Sequence, residues 1–168
     1  MVIAWSEAMS VGVPELDNDH RCLIRIINLL SNVTGRYPGR TVETVLETLL
    51  LYSKFHFARE ERVLASSRFP AAVFHHGEHE GFTRNIRRLR DRYKGGDSPK
   101  VARELLDYLT GWLTHHILIQ DMAYKPYVMD DNTMDSLALQ AAPDLYDAAV
   151  EQFQTNGVPY VCSEREPQ

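Results

Sequence analysis

The sequence has few cysteines and no long apolar run, and both absences narrow the class of protein. Cys22 and Cys162 are its two cysteines and lie far apart, so a disulfide framework is not expected. No stretch approaches the roughly 18 consecutive apolar residues of a membrane span. The start of the chain also lacks the basic-then-apolar order of a secretory signal. We therefore expect a cytoplasmic protein without a membrane span.

Basic residues are fewer than acidic residues, which gives a net charge of −5. This net charge argues against nucleic acid as a partner. The imbalance is local. Residues 1–125 carry 17 basic and 15 acidic side chains, whereas residues 126–168 carry one basic and eight acidic side chains. We therefore expect one main domain, 1–125, followed by an acidic extension, 126–168.

Apolar residues recur at steps of three and four along residues 17–36, 41–67, 71–94 and 99–124, which is typical of amphipathic helices. The breaks are YPGR, RFP and KGGDSP, where Ser98 is the expected cap and Pro99 the first turn of the fourth helix. Pro126 is expected to end that helix. Short connections between long helices predict an all-α fold, an antiparallel up-down-up-down four-helix bundle.

The extension has a helical pattern of its own in residues 133–142 and 143–157. Pro143 suits a first turn, Leu145, Ala149 and Phe153 form a narrow apolar stripe, and Asn156-Gly157 is a stop signal. We expect a helical extension that docks on its own bundle or on a neighbouring chain, oriented by the basic residues of helix 3, 84–94. An extension that instead seeks a protein partner is the alternative.

Histidines and carboxylates interrupt the apolar stripes of all four helices. They are His20 in the first helix, His56 and Glu60 in the second, His75 and His79 in the third, and His116 and Asp121 in the fourth. In an antiparallel bundle these positions all lie at the same end. Burying so many polar groups without partners would be costly, whereas metal ions between them would satisfy them.

The donor set favours iron. Seven groups are too many for one tetrahedral zinc, no thiolate joins them, and haem needs only one or two axial histidines. Imidazole with carboxylate suits iron, and two irons can share two carboxylates.

Two features leave alternatives in the ligand assignment. Histidine pairs occur at 75–76 and 115–116, and His76 could meet the same metal as His79. The apolar stripe favours His75 and His116, which leaves His76 and His115 facing solvent. His116 and Asp121 would lie about 140° apart on an ideal helix, so either Asp121 approaches from another side or the helix bulges.

The sequence resembles the hemerythrin family, specifically the bacterial hemerythrins, over residues 5–124. The resemblance is carried by Trp5, VGVPELDNDH, FHFAREE, FPAAVFHHGEHEGF and WLTHHILIQDMAY. It implies that His75, His79 and His116 hold one iron, that His20 and His56 hold the other, and that Glu60 and Asp121 bridge them with an oxo or hydroxo group. Asp19 departs from the usual glutamine, and we expect it to add negative charge near the mouth of the site.

The resemblance also implies reversible O₂ binding at an open position on the iron of His20 and His56. The protein would then be an oxygen carrier, store or delivery protein and not an enzyme. Four apolar residues are expected to wall the O₂ site, with ordinary core packing as the alternative: Phe57, Trp112, Leu113 and Ile117. An O₂, redox or iron sensor acting through the extension, or an enzyme acting on peroxide or nitric oxide, remains an alternative function.

Overall fold

The computed structural model describes residues 3–33, 39–96 and 98–158, and these residues contain helices and no strand. After a short 3₁₀ turn, Glu7–Met9, the helices are α1 (Pro14–Val33), α2 (Gly39–Ser66), α3 (Ala72–Lys94) and α4 (Ser98–Trp112). A π-helical segment (Leu113–Asp121) leads directly into α5 (Met122–Val128), and α6 (Thr133–Ala141) and α7 (Leu145–Thr155) follow.

The first four helices form the expected bundle. Each packs on the next along the chain, and α1 also packs on α4, which closes the ring. The predicted apolar stripes form its core, and Leu23, Leu49, Ile86 and Leu105 are fully buried. Tyr93 and Tyr108 are only partly buried. No helix of the described ranges is long and apolar enough to cross a membrane.

The expectation that Pro126 ends the fourth helix was wrong. Pro126 lies inside α5, which continues to Val128. A proline removes one backbone hydrogen bond of a helix, but Tyr124 and Val128 are buried in a second apolar cluster and hold this turn by packing. Three features of the sequence analysis fall outside the described residues: Cys162, Tyr37-Pro38 of the first break and the capping side chain of Ser98.

The extension docks on its own bundle as two helices. Met134 and Ala138 of α6 pack in the second cluster with Leu16 and Val63. The predicted stripe of Leu145, Ala149 and Phe153 on α7 is buried in the main core. Pro143 precedes the first turn of α7, because Asp144 is the capping residue and accepts a hydrogen bond from the amide of Asp147.

The expected orientation of the extension by the basic residues of α3 was wrong. Both α6 and α7 pack on α1 and α2. The basic residues of α3 have partners within the bundle: Arg88 and Arg92 pair with Glu104, and Lys94 pairs with Glu47. Apolar burial and polar contacts therefore determine where the extension lies: the backbone amide of Glu15 on α1 donates to Oδ1 of Asp135 on α6 at 2.9 Å, and a contact from α2 is described below.

Candidate metal centre

The structure brings all seven predicted ligand residues together at one end of the bundle. Each is at most 2% exposed, and they come from α1, α2, α3 and the π-helical segment. Their donor atoms form two groups that share a residue: Glu60 with His75, His79 and His116, and Glu60 with His20 and His56. Within each group the donor atoms lie within 4.8 Å of one another.

Glu60 lies between the two groups of histidines. Its Oε2 is 2.9 Å from Nε2 of His79, 3.2 Å from Nε2 of His75 and 3.7 Å from Nε2 of His56. One carboxylate therefore reaches imidazoles of both groups.

Asp121 occupies the same kind of position through both of its oxygens. Oδ1 lies 3.3 Å from Nε2 of His116 and 3.4 Å from Nε2 of His75, and Oδ2 lies 3.4 Å from Nε2 of His20. Each carboxylate thus touches a group of three histidines on one side and a group of two on the other.

The inward-facing nitrogens and oxygens of this cluster face one another across the interior. Within the described part of the chain, Nε2 of His20, His56 and His75 and all four oxygens of Glu60 and Asp121 have no well-aligned hydrogen bond. Such orphaned buried acceptors are costly. Cations between them would use these lone pairs, so the residues present fit a metal centre.

Outward-facing nitrogens of three histidines have protein partners. Nδ1 of His56 lies 3.2 Å from Oδ2 of Asp19, Nδ1 of His79 lies 2.9 Å from Oε1 of Glu61, and Nδ1 of His116 lies 2.8 Å from Oε1 of Gln120. A proton on each Nδ1 leaves Nε2 as a free donor to metal. The expected position of Asp19 at the site mouth was wrong, because Asp19 is buried and only 3% exposed.

Burial also sets the charge states of the cluster. It lowers the pKa of His20 well below its usual range and the pKa of His116 to about 3, so both imidazoles are neutral at neutral pH. Burial and the neighbouring Glu60 carboxylate raise the pKa of Asp121 well above its usual range. A cation between the two carboxylates would offset this repulsion.

The π-helical segment explains the unusual spacing of His116 and Asp121. Its hydrogen bonds run from residue i to i+5, which places residues five apart on the same face. Of the two possibilities left by the sequence, the structure has the bulged helix. His76 and His115 are exposed, as the apolar stripe predicted.

The family comparison agrees with this geometry. The family model of the hemerythrin HHE cation binding domain matches residues 11–128. The chain belongs to the hemerythrin family. All seven residues of the cluster lie inside the matched segment, whereas α6 and α7 lie beyond it.

Bacteriohemerythrins are among its relatives. The chain is 29% identical to bacteriohemerythrin of Clostridium acetobutylicum over 127 residues, which cover 73% of this chain and 98% of that protein. It is 30% identical to bacteriohemerythrin of Pseudomonas paraeruginosa over 122 residues, which cover 73% of this chain and 78% of that protein.

Phe57 and Trp112 of the expected apolar wall lie against the larger histidine group of this hemerythrin. The ring of Phe57 stacks on His79 at 3.9 Å between centroids, and Trp112 stacks on His116 at 4.0 Å. Leu113 and Ile117 are buried in the main core. Sequence reasoning missed three polar partners: Glu61 of His79, Gln120 of His116 and Arg59 of Asp19. The i,i+4 spacing of His116 and Gln120 was a signal for Gln120.

Proposed function

We propose that this hemerythrin binds two iron ions and uses them to bind O₂ reversibly, as an oxygen carrier, store or delivery protein. The observation that carries the proposal is the unequal division of five buried imidazoles around two shared carboxylates. Three histidines on one side and two on the other give the two metals unequal numbers of protein donors. A metal held by His20 and His56 would therefore be the one with room for a small ligand.

The proposed ligand roles follow from the contacts. His75, His79 and His116 would hold one iron, His20 and His56 the other, and Glu60 and Asp121 would bridge them. Imidazole-rich, carboxylate-containing sites suit iron. When bound, a ferrous pair supplies the electrons that reversible O₂ binding withdraws and returns.

The protein surroundings support ligand binding over proton-transfer catalysis. Burial and nearby carboxylates raise the pKa of both Tyr52 and Tyr124 well above the usual range, so neither hydroxyl is a base at neutral pH. Phe57, Trp112, Leu113 and Ile117 are buried apolar side chains that would exclude water from the centre. We therefore propose a non-enzymatic role.

Stopped-flow mixing of the anaerobic ferrous protein with O₂ tests the proposal. We expect two irons per chain and an adduct that forms on mixing and is lost under argon with recovery of the ferrous protein. We expect His75→Ala to lower the iron content and His76→Ala, its matched control, to keep it, since the two residues are adjacent and only His75 is buried. A single metal per chain, or an adduct that decays within milliseconds, would contradict the carrier proposal.

A sensor is the second candidate function. It is favoured by Arg59 of α2, which donates to the backbone carbonyls of Ala142 and Pro143 in the extension and also to Asp19. Asp19 in turn contacts His56.

A further inference from the structure

Arg59 on α2 is a charged side chain in the interior. Its side chain is 1% exposed, and it is the largest of the fully buried side chains in the described residues. A buried charge is stable only when it is paired and hydrogen-bonded. The partners of Arg59 therefore indicate the role of this buried side chain.

The guanidinium group binds in two directions. Nη1 donates to both oxygens of Asp19 at 2.9 Å. Nη2 donates to the backbone carbonyl of Ala142 at 3.1 Å and to that of Pro143, and lies 3.5 Å from Oε1 of Glu15. Arg59 thus joins a carboxylate of α1 to the backbone of the extension.

Ala142 and Pro143 lie between α6 and α7. Their carbonyls reach Arg59 because α6 is anchored in the second apolar cluster and α7 in the main core. If either helix detached, these acceptors would move away from the guanidinium group. The contact therefore exists only with the extension docked.

Asp19 continues the contact to the metal centre. Its Oδ2 accepts both from Arg59 and from Nδ1 of His56, the latter at 3.2 Å. This bond fixes the plane of the His56 ring. Nε2 of His56 then faces the carboxylate of Glu60.

We propose that Arg59 is a positioning residue that couples docking of the C-terminal extension to the orientation of His56 through Asp19. The coupling makes the extension a regulatory element: a protein that captured α7 would release the carbonyls from Arg59 and loosen His56. Only the metal-binding consequence rests on the proposed function, because the orientation of His56 is a property of the metal-free chain.

The first experiment changes the guanidinium end in the full chain. Arg59→Met keeps an unbranched apolar stem like that of arginine but removes the guanidinium donors, and Arg62→Met is the matched control, an exposed arginine on the same helix. We expect Arg59→Met to speed amide hydrogen exchange across Leu145–Thr155 and to shift and broaden the side-chain signals of His56 in NMR spectra of the metal-free protein. Arg62→Met should change neither.

The second experiment starts from the extension and covers the case in which Arg59→Met fails to fold. Ala149→Glu places a charge at a fully buried position of α7 and leaves Arg59 intact. We expect faster exchange in α7 together with the same change in the His56 signal. Faster exchange in α7 with an unchanged His56 signal would overturn the proposed coupling.

An anaerobic ferrous titration gives the consequence for the metal site. Loss of an outer partner of a histidine ligand typically weakens metal affinity about 10- to 100-fold. In Ala149→Glu we expect this weakening in one of the two iron-binding steps, the step that involves His56. In Arg62→Met we expect no weakening of either step. Equal weakening of both steps would contradict a specific effect on His56. A failure to bind O₂ would contradict the proposed function and leave the NMR result standing.

Discussion

Nδ1 of His56 lies 3.2 Å from Oδ2 of Asp19, and the same carboxylate is held by the guanidinium group of Arg59 at 2.9 Å. The histidine, the aspartate and the arginine come from two helices and form one buried polar chain. Its far end is the backbone of the extension. The stability of the fold and the shape of the metal centre therefore depend on shared contacts.

Asp19→Asn tests the stability contribution of this chain. The variant leaves the charge of Arg59 buried with only the more distant Glu15 as an anion, and breaking a buried pair in this way costs about 3 kcal/mol. We expect this loss in the free energy of unfolding of the metal-free protein, measured by urea denaturation. The double variant Asp19→Asn/Arg59→Met should lose less than the sum of the single variants, and additive losses would contradict direct pairing.

Glu60→Ala and Asp121→Ala test the shared carboxylates. Because each reaches both histidine groups, either change should lower iron content toward one or none per chain, as measured by elemental analysis. His20→Ala should affect first the metal with two histidines. Glu80→Ala, an exposed acid on α3, is the control and should keep the full iron content. Full iron content in Glu60→Ala would contradict the bridging role.

Leu113→Ala tests the apolar wall. If Leu113 lies over the open position, the smaller side chain admits water and autoxidation becomes faster while iron content stays the same. Leu105→Ala is the matched control, a buried leucine of α4 two turns earlier in the chain. An unchanged adduct lifetime in Leu113→Ala would mean that this leucine is only part of the core.

Phe153→Ala tests whether the extension belongs to the folded core. Truncating a fully buried phenylalanine costs about 3 to 5 kcal/mol, and Phe153 is 0% exposed. We expect a corresponding fall in Tm of the full chain, whereas Gln154→Ala, at an exposed position of the same helix, should leave Tm nearly unchanged. A wild-type Tm for Phe153→Ala would contradict stable docking of α7.

Periodicity predicted the four helices because their apolar faces are continuous in sequence. The same periodicity placed His20, His56, His75 and His116 on the core face, and the antiparallel topology brought them to one end. The spacing of His116 and Asp121 also indicated a helix bulge as one of two possibilities, although it did not decide between the bulge and an approach of Asp121 from another side.

The contact from Arg59 to the extension lay beyond sequence reasoning. It joins residues 83 and 84 positions apart in the chain, and no local pattern marks such a pair. The basic residues of α3 were misleading because charge in a sequence does not reveal partners: Arg88 and Arg92 both pair with Glu104 of α4. A charged position inside α2 looks solvent-facing until the helix that covers it is known.

The π-helical segment, Leu113–Asp121, makes the ligand geometry sensitive to chain length. In an α-helix, ligands on one face are four residues apart, as His56 and Glu60 are in α2. Removing one residue between His116 and Asp121 would give that spacing and a regular helix. Gain or loss of a single codon is therefore enough to exchange the two helix shapes, whereas a deletion in α2 ahead of His56 would turn both His56 and Glu60 by about 100° on that helix.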